Sequence, residues 1–109
     1  MNTSNVIEID LNTERRELRL SAYYQYDRGL LVRLVNVPEN RDYDLRLEMC
    51  NAGDTVIKHV AQYSGEAVEV PSDLLLDGRN VQIFVFAVGE DWGKTILTVD
   101  MNVSRRPGR

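Results

Sequence analysis

Val81-Gln82-Ile83-Phe84-Val85-Phe86-Ala87-Val88 runs into Gly89-Glu90-Asp91-Trp92-Gly93-Lys94, and that into Thr95-Ile96-Leu97-Thr98-Val99-Asp100-Met101-Asn102-Val103. The first and third segments repeat with period two, the spacing of a strand whose side chains alternate between two faces. The middle one supplies glycine at both ends of a short acidic loop, which reads as a hairpin turn. Val81, Ile83, Val85 and Ala87 form one face of the first run. Phe84, Phe86 and Val88 make the other face apolar too, which predicts a central strand or one covered by a partner. Upstream, Pro71-Ser72-Asp73-Leu74-Leu75-Leu76-Asp77-Gly78 is the one helical stretch. Ser72 is the expected cap, Leu74 to Leu76 pack inward, and Gly78 ends the turn.

Working outward, the same alternation recurs. Ile7, Ile9 and Leu11 form a first run, Leu18, Leu20 and Ala22 a second, and Leu30, Val32 and Leu34 a third. Tyr43, Leu45, Leu47 and Met49 form a fourth; a fifth spans 55–63 and a short sixth spans 67–70. Asn, Asp and Gly separate the runs at 12–15, 27–29, 51–54 and 64–66. Strands this closely spaced, with almost no helix, predict an all-β fold. The expectation is an antiparallel β-sandwich of seven or eight strands, in Ig-like or jelly-roll layering, with one short helical turn near 72–77. The inward set is Leu18, Leu20, Val32, Leu34, Leu45, Leu47, Val81, Ile83, Val85, Leu97 and Val99. Residues 1–104 read as a single domain and 105–109 as a basic tail.

With 109 residues, the chain is long enough to bury a core without staples. Cys50 is the only cysteine, so no internal disulfide forms, which fits synthesis in a reducing compartment. No apolar run approaches the ~20 residues of a membrane span. Net charge is −4, and Arg105, Arg106 and Arg109 offset a body of 10 basic and 17 acidic side chains at −7. An acidic body lacks the basic stripe that nucleic acid requires.

Candidate chemistry is sparse. His59 is the sole histidine, and zinc needs three or four clustered ligands. A Cys50–His59 pair across a tight turn is conceivable, but nothing beside Cys50 marks an activated thiol. Carboxylates at Asp42 and Asp44, and at Glu8 and Asp10, read as solvated strand faces rather than a calcium site. No catalytic, metal or cofactor-binding residue is assigned, and no enzyme activity is expected. Tyr23, Tyr24, Tyr26 and Trp92 are the aromatic grouping. They either stack on a sugar or fill a protein interface, unless Tyr23 or Tyr24 turns inward and Trp92 merely closes the hairpin. The tail arginines either dock on an acidic partner or form a frayed end.

Val70-Pro71-x-x-Leu74-Leu75-x-x-Gly78, the following β run, Gly93-Lys94-Thr95 and Arg106-Pro107 resemble a recurring module of tailed-phage structural proteins. The module is the N-terminal β-sandwich domain of the phage baseplate upper protein, with related domains in head-fibre and minor virion proteins. Ile9-Asp10-Leu11-Asn12 and Gln25-Tyr26-Asp27 are compatible with its start. In that protein the module leads into a long helix and a receptor-side domain, whereas this chain stops at Arg109. The resemblance therefore implies a small virion component made in the host cytoplasm: a capsid decoration, a head-fibre base or a baseplate or tail adaptor. Its partners would be other virion proteins and further copies of itself, a trimer by analogy with fibres, with no nucleic acid or membrane. The interface candidates are Trp92, Phe84, Phe86, Tyr23, Tyr24, Tyr26, Arg105, Arg106 and Arg109. A carbohydrate-binding module, with a glycan on Tyr23, Tyr24, Tyr26 and Trp92, is the alternative.

Overall fold

In a computed structural model, which describes residues 5–107, the chain is all-β. The strands are β1 (Val6–Asp10), β2 (Glu17–Tyr24), β3 (Leu31–Val35), β4 (Asp44–Asn51), β5 (His59–Gln62), β6 (Val68–Glu69), β7 (Val81–Val88) and β8 (Gly93–Ser104). Among the described residues a single 3-10 turn spans Ser72–Leu75. Two sheets, ordered β1-β3-β6 and β2-β8-β7-β4-β5, sandwich one core. The run β8-β7-β4-β5 follows the G-F-C-C′ order of immunoglobulin-type sheets. A division into three and five strands is not that of a jelly roll.

The sheets are mixed rather than purely antiparallel. β1 pairs parallel with β3, and β2 parallel with β8. The reason lies in the linker, 11–16. It carries the chain from the small sheet to the large one instead of folding β2 back on β1. Each strand then adds to the edge of a sheet whose other members lie far along the chain.

The inward set packs as expected. Val32, Leu47, Val81, Ile83, Val85 and Val99 are fully buried, and Leu34, Leu45 and Leu97 nearly so. Leu18 and Leu20 are only partly buried, because β2 is an edge strand. Burying a side chain of this size stabilises the fold by about 1.5–3 kcal/mol.

Three local expectations change. Thr55 to Lys58 do not join β5. The carboxylate of Asp54 accepts from the N–H of Asn51 and holds this segment in the turn, leaving Val56 69% exposed. Ser72 makes no capping bond, and Pro71 occupies the cap position with its fixed φ of −56°. Leu74 and Leu75 enter the core, but Leu76 points to solvent. The helical turn therefore does not cover Phe84 and Phe86, which lie half-buried on the outer face of the large sheet. Phe84 sits between Glu48 and Thr98, and Phe86 between Arg46 and Thr95.

A bulge decides the fate of the tyrosines. Between Leu20↔Met101 and Tyr23↔Val103, β2 carries one extra residue, and Ala22 adopts φ +73° there. The slip turns Tyr23 inward, where burial raises its phenol pKa, and leaves Tyr24 outside. No helix among the described residues is long and apolar enough to cross a membrane.

Candidate functional site

Register places the candidate residues at opposite ends of the sandwich. β8 starts at the hairpin, with Gly93 beside Val88, and ends at Ser104 beside Tyr24. Its 12 residues span roughly 35 Å.

At the far end the chain builds a platform from three separate segments. Gln25 is its clamp. Its N–H donates to the Ser104 carbonyl, its side-chain Nε2 donates 2.8 Å to the Leu76 carbonyl, and its Oε1 accepts from the Arg106 N–H. Tyr26 holds φ +74°, unusual for an aromatic residue, and its N–H donates to the Leu75 carbonyl. The Arg106 guanidinium lies 5.6 Å over the Tyr26 ring, within cation–π range. Arg105 lies across Gly78, where a Cβ would come within 2.9 Å of its Cγ. The start of the tail is therefore seated, not frayed. Arg109 lies outside the described residues. Tyr24 and Leu76, both about half exposed, complete an apolar rim.

Charge around this platform is unequally matched. Asp54 and Asp77 pair with Arg79, Asp54 also with Lys58, and Asp73 lies 3.3 Å from His59 Nε2. The Asp27 carboxylate accepts from the Tyr24 N–H. Arg105 and Arg106 make no ion pair among the described residues.

At the hairpin end Trp92 folds back over Gly89 and meets Tyr43, with ring centroids 5.8 Å apart and planes tilted by 58°. The Gly89 N–H donates 2.8 Å to the Trp92 carbonyl and closes the loop. Trp92 still keeps 44% of its surface in solvent. Around it stand Asp42, Asp44, Glu90 and Asp91, all exposed and without an ion pair among the described residues. Arg41, the nearest cation of that groove, donates to the Pro38 carbonyl. Lys94 faces a neighbouring groove with Glu14, Arg15 and Arg16.

The structure therefore brings together Tyr24, Tyr26, Arg105 and Arg106, and separately Trp92 with Tyr43. It does not gather Tyr23, Tyr24, Tyr26 and Trp92 into one sugar-stacking surface. Tyr43 is the residue that the alternation groups with Leu45, Leu47 and Met49 but for which it offers no ring partner. Gln25 was not singled out as a clamp, because its three contacts are with segments remote in sequence.

Nor do Cys50 and His59 meet as a catalytic pair. His59 is in register with Met49, so its side chain shares Met49's face, opposite to that of Cys50. Cys50 is buried, and burial together with the nearby Asp54 carboxylate pushes its thiol pKa up, away from the nucleophilic thiolate. No group of three or more metal-ligating side chains occurs among the described residues. Neither the known protein families nor the curated proteins offer a significant match to this chain.

Proposed function

We propose that this chain is a non-enzymatic structural protein of a tailed-phage virion that works through protein–protein contacts. A capsid decoration, a head-fibre base and a baseplate or tail adaptor all fit the resemblance carried by Val70 to Gly78, Gly93-Lys94-Thr95 and Arg106-Pro107. The observation that carries the reading is the seated Arg105–Arg106 segment beside Tyr24, Tyr26 and Leu76. Tyr and Arg are the residue types enriched where interfaces draw their energy. An arginine held against an aromatic ring also loses less side-chain freedom on docking than a free one. The tail would meet a carboxylate-rich surface of a neighbouring subunit, since the planar guanidinium pairs bidentately with carboxylates.

Two measurements test this. Mass spectrometry of purified particles should find the chain at fixed stoichiometry, with cross-links from the 104–107 segment to acidic peptides. Truncation after Ser104 should leave the fold intact and lower incorporation, most of all at low ionic strength, where screening is least. Absence of the chain from particles overturns the proposal, and equal incorporation of the truncated chain removes the tail from it.

A further inference from the structure

The two ends of the sandwich differ in chemistry as sharply as in position. One presents Arg105 and Arg106 with Tyr24, Tyr26 and Leu76, and the exposed Arg28 on the adjoining loop. Of its own carboxylates, Asp54 and Asp77 are ion-paired with Lys58 and Arg79, Asp73 meets the His59 ring, and Asp27 accepts from the Tyr24 N–H. The other presents Asp42, Asp44, Glu90 and Asp91 around the Trp92–Tyr43 pair, with Arg41 held by the Pro38 carbonyl. Arginines without an ion pair among the described residues thus stand beside aromatic surface at one end, and an excess of carboxylates, with Arg41 and Lys94 close by, stands beside aromatic surface at the other. Because β8 connects the two ends, a single translation along its axis brings one into contact with the other.

We infer that copies of this chain associate head to tail, the Tyr26–Arg106 end of one docking on the Trp92–carboxylate end of the next. The occupant is a second copy because the chain carries both halves of the complement. The inference rests on the docking role proposed for the Arg105–Arg106 segment and names its partner; a chain present in particles yet monomeric at low salt would overturn the inference alone. Such a contact is heterologous. In an end-on contact each copy keeps one surface of each kind free, so repetition continues as a filament, or closes as a ring where successive copies also rotate. The outer face bearing Phe84 and Phe86 would instead give a symmetric pair, which the test separates.

The experiment is sedimentation velocity on the full chain over a concentration series, at about 0.02 M and about 1 M sodium chloride, where charge interactions are least and most screened. The average mass should rise with concentration at low salt and return to monomer at high salt. R105E/R106E makes both ends acidic, and D42K/D44K/D91K, which leaves only Glu90 of the four carboxylates, makes the hairpin end basic. Each variant alone should associate on the order of tenfold more weakly than wild type. An equimolar mixture should recover association, because opposite ends again meet. Far-UV circular dichroism checks that both remain folded, and R106Q with D91N replaces any that does not, with a smaller loss expected. Wild type that stays monomeric at low salt overturns the inference. So does association that survives both reversals, or a dimer that the mixture fails to restore.

Discussion

The hydroxyl of Tyr63 serves both backbone groups of Leu34: it accepts from the N–H at 3.0 Å and donates to the carbonyl at 3.1 Å. β6 is two residues long and pairs only with Leu31 and Val32, so β3 outruns its neighbour at Leu34. Tyr63, which follows β5 in the other sheet, completes the missing pairing through a buried side chain and ties the sheets together.

Tyr63→Phe keeps the ring and removes the hydroxyl, leaving a buried N–H and C=O unmatched. The expected loss is about 1–3 kcal/mol per unsatisfied group. Urea unfolding should show a lower midpoint with an unchanged slope, the pattern of a lost contact rather than an altered denatured state. An unchanged midpoint would mean that water takes the place of the hydroxyl.

Gly89→Ala tests the hairpin end. A Cβ there would overlap the indole Nε1 of Trp92, so the ring must leave its seat against Tyr43. Trp92 is the only tryptophan, so its emission should shift to the red while circular dichroism keeps its β signature. Emission identical to wild type would show that the loop relaxes around the methyl group.

Much of the core was legible because burial on one face of a strand writes itself as period-two alternation. Tyr43-x-Leu45-x-Leu47-x-Met49 needs no partner to be read. Pairing between strands distant in sequence leaves no such trace, which is why the parallel neighbours of β1 and β2 were missed. The Ala22 bulge escaped notice because alanine seldom takes a positive φ and carries no turn signature. Thr55-Val56-Ile57 has strong strand propensity, yet the Asp54–Asn51 turn overrides it. The buried Asn51 was equally hidden. Its side-chain amide donates 2.7 Å to the Leu74 carbonyl, and its Oδ1 accepts from Lys58.

Acid should loosen this same corner. Asp54's carboxyl is held below its ordinary pKa first by the Asn51 N–H, with Lys58 and Arg79 adding to it against a desolvation penalty. Arg79 likewise lowers Asp77. A folded-state pKa below the unfolded one means stability that is fully present above about 3.9 and is lost as pH falls through the lower folded value. Asp54→Asn should therefore destabilise the protein at pH 7, and its difference from wild type should shrink below about pH 4. A difference of constant size down to pH 2 would show that charge contributes nothing there.

Arg106→Ala should cost about 0.5–1 kcal/mol, the range for an exposed cation–π contact. Arg106→Lys should recover only part of it, since an ammonium cannot stack on Tyr26 as a guanidinium does. Thermal midpoints of the three proteins at matched salt give the comparison, and equal midpoints would show that the stack contributes no stability.

Tension applied to the chain would find an unusual path. A pull that reaches β2 at Glu17 and leaves β8 at Ser104 draws two parallel neighbours in opposite directions along their own axes. The pairs from Glu17↔Thr98 to Tyr24↔Ser104 then share the load at once in shear, whereas an antiparallel edge pulled from one end would open bond by bond. Under force, the sandwich behaves as a clasp rather than a zip.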